Sequence, residues 1–252
     1  MIPLGNDSPT TRVPVMTYLL IAANVAVWLL VQGGGTDPQR LAATVCDLGM
    51  VPGELTHLAP LGESVPIGQG LNCVVDNDAI NAFTPLISMF LHGGWLHLIG
   101  NMLYLAVFGR NVEDAMGRLR FLAFYLICGL VAAATHIALN ARSPVPTVGA
   151  SGAISGVLGA FLVLYPTTTV RMFVFIFVIR IRAWLVLLYW FALQALGALS
   201  QLNPLQPDIS GGIAVWAHVG GFLAGVVLAK PFVNRDLWYG RQATAGFGTG
   251  PV

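Results

Sequence analysis

The feature that most restricts this chain is a set of long stretches without a formal charge. Val13–Val31, Ala82–Gly109, Phe121–Asn140, Val148–Tyr165, Ala183–Gln201 and Ile209–Ala229 contain no Asp, Glu, Lys or Arg. A bilayer-crossing helix needs roughly 20 mostly apolar residues, because hydrocarbon leaves the backbone N–H and C=O groups no partner outside the helix itself. Composition agrees. Of 252 residues, 56% are hydrophobic and only 9% are charged, against about a quarter charged in soluble domains. Disorder is excluded by that lack of polarity. Twelve basic against eleven acidic residues leave a net charge of +1, which implies no nucleic-acid partner. The expected class is an all-α integral membrane protein, a single domain over 1–252 in contact with the lipid bilayer.

The first run follows a polar start, MIPLGNDSPTTR. It is too long for a signal-peptide core and no small-residue cleavage site follows, so it reads as a retained helix. Within 82–109, Pro85 and the Gly93-Gly94 pair disfavour a continuous helix, and the span is expected from Gly94 to Gly109. Six helices are therefore predicted, at 13–31, 94–109, 121–140, 148–165, 183–201 and 209–229. A long loop over 32–93 joins the first two. Phe173–Ile179 is apolar but too short to cross; flanked by Arg171, Arg180 and Arg182, it reads as a surface segment.

Charge sets the direction. With six spans, the N-terminus, the 110–120 and 166–182 loops and the C-terminus lie on one side. That side carries ten of the twelve basic residues: Arg12, Arg110, Arg118, Arg120, Arg171, Arg180, Arg182, Lys230, Arg235 and Arg241. The other side has Arg40 and Arg142, with seven of the eleven acidic residues. Positive charge stays inside, so both termini are expected in the cytoplasm, the 32–93 loop outside, and the chain in a plasma or inner cell membrane. Cys46 and Cys73 share that external loop, where a disulfide is chemically permitted, although sequence separation alone does not bring them together. Cys128 lies inside the third span. No Cys or His pattern resembles a zinc site, and no metal or other cofactor is expected.

Polar side chains at membrane depth are costly and ask for a reason. Three clusters stand out, each near an external helix end. In FLHGGWLHLIGNMLYL, His97 and Asn101 are four residues apart and share a helical face, with His92 ahead of the helix. In GASGAISGVLG, Ser151 lies between Gly149 and Gly152, with Gly156 and Gly159 following. In WAHVGGFLAG, His218 is followed by Gly221 and Gly225. Each has a structural reading: interfacial histidines, an interhelical amide, and small-residue helix contacts. The soluble nucleophile-elbow motif is absent, because Ala153 stands where it needs glycine. At ~1.5 Å per residue, however, Asn101, Ser151 and His218 all fall in the outer half of the bilayer. A serine hydroxyl needs a base to become a nucleophile, and acyl transfer needs donors for its oxyanion. His218, and then Asn101, His97 and the Ser151 N–H, are of the right kinds.

On these residues the sequence resembles the rhomboid intramembrane serine proteases over nearly its whole length. The carriers are HGGWLHLIGN with His92, His97 and Asn101, GASG with Ser151, AHVGGFLAG with His218, and Glu113 in GRNVEDAMG. The resemblance implies a six-helix bundle and a Ser151 nucleophile with His218 as general base, in a dyad without a carboxylate. It further implies oxyanion help from His97 and Asn101, structural support from His92, Gly149, Gly152, Gly221, Gly225 and Glu113, and transmembrane proteins as substrates. Two departures stand out. Phe83-Thr84 replaces a Trp-Arg pair of the first external loop, and Ser155 replaces an aromatic residue that in some members stacks on the histidine. An inactive relative would lack Ser151 or His218, and both are present. A transporter reading finds no obvious inverted repeat or broken-helix pair.

Overall fold

The computed structural model describes residues 2–68, 71–202 and 214–238. Along the chain run β1 (Ile2–Asn6), α1 (Val15–Leu30), α2 (Pro38–Leu48), α3 (Pro52–Leu55), β2 (Ser64–Gly68), β3 (Leu71–Val74), α4 (Thr84–Ile87), α5 (Trp95–Tyr104) and α6 (Arg110–Met116). They are followed by α7 (Arg118–Leu139), α8 (Ser151–Leu164), β4 (Thr169–Val174), β5 (Phe177–Arg182), α9 (Ala183–Ser200) and α10 (Val215–Phe232). Among the described residues three helices, α7, α9 and α10, are each long and apolar enough to cross a membrane. A fourth candidate is the pair Ala79–Phe90 and Trp95–Met116, bent by 71°, whereas α1 and α8 are shorter apolar helices.

Several expected boundaries need correction. The second helix does not stop at Gly109. A π-helical stretch, Leu105–Gly109, carries α5 directly into α6, so 110–116 is helix rather than loop. The charges there are not solvated: Val112, Ala115 and Met116 are buried, and Glu113 and Asp114 are engaged by the N-terminal segment. Only Gly117 separates α6 from α7; its φ of 82° is a left-handed value that favours glycine and turns the chain. The fourth helix begins at Ser151 rather than Val148. The sixth runs from Val215 to Phe232, past its expected end, while Ile209–Ile213, Asp208 and Arg241 lie outside the described residues.

The all-α expectation fits the bundle but not its accessories. The 166–182 connection is an antiparallel hairpin, β4–β5, and β1 pairs with β4 to complete a three-stranded sheet. Phe173–Ile179 forms its tip, and Phe175 there is 90% exposed. Likewise, the long loop is folded rather than open. It contains α2, α3 and the β2–β3 hairpin, and a Cys46–Cys73 disulfide joins α2 to β3. Met50 and Thr147 exchange backbone hydrogen bonds of 2.9 and 2.8 Å, docking this loop onto the segment that leads into α8. Phe83 is exposed, and the Thr84 hydroxyl donates to the Asn81 carbonyl, so neither reproduces a Trp-Arg pair.

Glu113 has a plain structural task. Its carboxylate accepts the backbone N–H groups of Met16 (2.9 Å) and Thr17 (2.7 Å) and the Thr17 hydroxyl (2.7 Å). These are first-turn donors of α1, which no intrahelical carbonyl can satisfy, and α1 begins after a proline with no capping side chain of its own. Asp114 binds Thr11 and Arg12 beside it. The most extensive packing in the molecule joins α8 to α10, with α7 against both.

Candidate active site

The α8–α10 contact is close because of glycine. A Cβ placed on Gly221 would overlap the Gly152 carbonyl oxygen, and one on Gly225 would overlap that of Gly156. The α8 glycines serve a second neighbour as well. A Cβ on Gly152 would lie 2.7 Å from the Ala132 Cβ, and one on Gly156 would strike Cys128, both on α7. Helix α8 is thus pressed backbone-first between α7 and α10. This is the contact mode that small residues permit at membrane helix interfaces.

That packing brings together two side chains 67 positions apart. Ser151, the first residue of α8, has its Oγ 2.8 Å from Nε2 of His218 on α10. The other ring nitrogen, Nδ1, is 2.8 Å from Oε1 of Gln194 on α9. Trp190, one turn before Gln194, stands with its ring centroid 5.8 Å from that of His218. Ser155 points elsewhere: its hydroxyl donates to the Ser151 carbonyl at 2.6 Å.

Donors approach from α5. The Gly93 N–H donates to His97 Nδ1 at 3.3 Å, so neutral His97 carries its proton on Nε2. That nitrogen lies beside Gly149: a Cβ on Gly149 would be 2.8 Å from His97 Nε2 and 3.5 Å from Ser151 Oγ. Gly149 has φ 132°, outside the range of ordinary L-residues, and any side chain there would displace the His97 ring. Its N–H is held by the Ser88 carbonyl at 2.9 Å. Asn101 follows His97 on the same face of α5; it is buried, and its Nδ2 has no hydrogen-bond partner. The N–H of Ser151 is a first-turn donor of α8 and has no intrahelical acceptor.

His92 is fully buried ahead of α5. Its backbone N–H and C=O pair with the Gln32 side chain at 2.9 and 2.8 Å, tying the end of α1 to this turn. Its ring meets that of His97 edge-on, with centroids 5.1 Å apart. Sequence reasoning brings out neither Gln32 nor Gln194, nor His136 on α7, whose Nε2 lies 3.2 Å from the Thr147 hydroxyl. Each signal was of the kind already used: a lone polar side chain in or beside an apolar run. Among the described residues no group of three or more His, Cys, Asp or Glu could hold a metal ion.

A hydroxyl, an imidazole and convergent N–H donors, contributed by separate helices, are an arrangement suited to acyl transfer. Comparison with known proteins points the same way. The Rhomboid domain pattern matches residues 79–235, which include every site residue on α5, α8, α9 and α10. The Rhomboid protease GluP of Bacillus subtilis is 34% identical over 151 residues, covering 59% of this chain and 24% of GluP. RHOMBOID-like protein 4 of Arabidopsis thaliana is 28% identical over 236 residues, covering 88% of this chain and 53% of its own length. RHOMBOID-like protein 5 of the same plant is 29% identical over 162 residues, with 61% and 52% covered. The chain thus spans about half the length of these plant relatives and about a quarter of GluP. With a match over well more than half its residues and apolar helices to fit, this multi-pass membrane protein belongs to the rhomboid family.

Proposed function

We propose that the chain is an intramembrane serine endopeptidase that hydrolyses peptide bonds in or beside transmembrane segments of other proteins. The observation that carries this reading is the 2.8 Å approach of Ser151 Oγ to His218 Nε2, within the ~2.6–3.2 Å that proton transfer requires. Membership of a family known for intramembrane proteases supports it. In the proposed reaction Ser151 Oγ attacks the scissile carbonyl carbon while its proton passes to His218 Nε2. The Ser151 N–H, His97 Nε2–H and the unpartnered Asn101 amide supply donors for the oxyanion. His218 then protonates the leaving amine, and a water, deprotonated by the same nitrogen, hydrolyses the acyl-enzyme. A substrate helix must unwind at the site, since its own hydrogen bonds shield its carbonyls.

The proposal includes six crossings, both termini in the cytoplasm and the Ser151 end of the bundle facing outward, in a plasma or inner cell membrane. Its support is the basic-residue asymmetry. The test uses purified chain in proteoliposomes with a reporter protein bearing one transmembrane helix. Wild type should cut the reporter, and Ser151→Ala and His218→Ala should not. Equal cutting by Ser151→Ala would overturn the reading.

A further inference from the structure

We infer that Gln194 is the positioning residue of the reaction, a neutral amide that fixes the tautomer and the tilt of His218. The inference rests on the protease reading above and extends it to a third side chain. A glutamine Oε1 has lone pairs and no proton, so it only accepts. At 2.8 Å from Oε1, His218 Nδ1 must carry the proton. A neutral imidazole protonated on Nδ1 has its free lone pair on Nε2, the nitrogen that faces Ser151 Oγ at 2.8 Å. In the opposite tautomer Nε2–H would point at the hydroxyl, and the serine would have no base. Gln194 therefore performs, without charge, the orienting task that a buried carboxylate performs in a serine-protease triad.

The rest of the surroundings leave this task to α9. Ser155, one turn along α8 from Ser151, has donated its hydroxyl to the Ser151 carbonyl. His218 itself sits on α10 among glycines, with Gly220 and Gly221 following, and these offer no side chain to brace a ring. Trp190 and Gln194 are four residues apart and share one face of α9. The indole lies tilted at 39° to the imidazole, with centroids 5.8 Å apart, and limits the ring's rotation while Gln194 limits its tautomer. Among the described residues, the titratable groups that act on His218 are His97 from α5 and His136 from α7, both imidazoles rather than carboxylates.

The test compares Gln194→Met, which keeps the side chain's length but removes the acceptor, with Gln194→Glu, which keeps an acceptor and adds charge. Both are reconstituted in proteoliposomes, and cleavage of a transmembrane reporter and labelling by a fluorophosphonate are followed against pH. Gln194→Met should stay folded and retain wild-type KM while kcat and labelling rate fall ~10–100-fold, the scale of a lost alignment, with thermal stability lowered no further than one unpaired buried donor requires. Gln194→Glu should recover most of that loss. Its carboxylate favours the imidazolium, so the acidic limb of the pH–rate profile should move up by about one unit or more. A Gln194→Met protein with wild-type kcat, or a Gln194→Glu profile superimposable on wild type, would overturn the inference while leaving Ser151 and His218 in place. Failure of wild type itself to cleave or label would instead overturn the protease reading on which the inference depends.

Discussion

At Asn101 the amide nitrogen is buried without a partner, a state that ordinarily costs about 1–3 kcal/mol. A donor kept in this condition one turn along α5 from His97 has a use when negative charge appears there. Asn101→Ala should therefore lower kcat by ~100-fold or more with little change in KM, the pattern of a donor engaged only in the transition state. Unchanged kcat with raised KM would make it a substrate-binding residue. Glu54 lies in α3, within the loop after α1. It is only 7% exposed. Burial pushes its carboxyl above the ordinary 4.5, the Asp76 N–H at 3.2 Å pulls it down in part, and the charges of Asp76 and Asp78 push it up again. A raised folded-state value means the fold holds this proton more tightly than the unfolded chain does. The associated stability is present below the unfolded value and is lost as pH rises through the raised one. Glu54→Gln keeps the acceptor and removes the charge. Thermal melts should coincide at low pH and separate toward neutral pH, with the variant higher; parallel curves would contradict this account.

Helix positions were largely legible in the sequence, because an apolar run must hide its backbone, whichever partners it later finds. Boundaries were less so. Charge marked 110–116 as a loop, yet Glu113 and Asp114 are taken up by Met16, Thr17, Thr11 and Arg12, nearly 100 positions away, and such pairing leaves no local trace. The sheet formed by β1, β4 and β5 escaped for the same reason, and the Cys46–Cys73 disulfide, which the sequence permitted but left open, is decided by a proximity that only the fold creates. The glycine ridges were readable, although their second partner, α7, was not. Since a Cβ at Gly221 would overlap the Gly152 carbonyl oxygen, Gly221→Leu must force α8 and α10 apart. A misplacement of ~1 Å at the reacting groups already costs ~100-fold. The variant should remain membrane-inserted and full length while losing reporter cleavage; near-normal turnover in a folded Gly221→Leu protein would show that the two backbones tolerate separation.

For the whole molecule, the side chains of the proposed site were named from the sequence, but the contact from α9 was not. Ser151, His218, His97 and Asn101 were recognisable as polar groups in apolar surroundings; Gln194 is a polar group of the same kind, passed over because there was no acid to look for. Its role depends on a contact between α9 and α10 that no spacing rule supplies. The topology is testable by itself. Cysteine-accessibility labelling of intact cells should reach residues introduced in α2 and should not reach residues introduced near Thr10; the reverse pattern would invert the orientation drawn from charge. In the proposed reaction Ser151, activated by His218, is the nucleophile. The most direct test of this is mass-spectrometric mapping of the fluorophosphonate adduct on the reconstituted chain. One modified residue, Ser151, is expected, with loss of the adduct in His218→Ala; an adduct on Ser155 or elsewhere, or undiminished labelling of Ser151→Ala, would rule Ser151 out as the nucleophile.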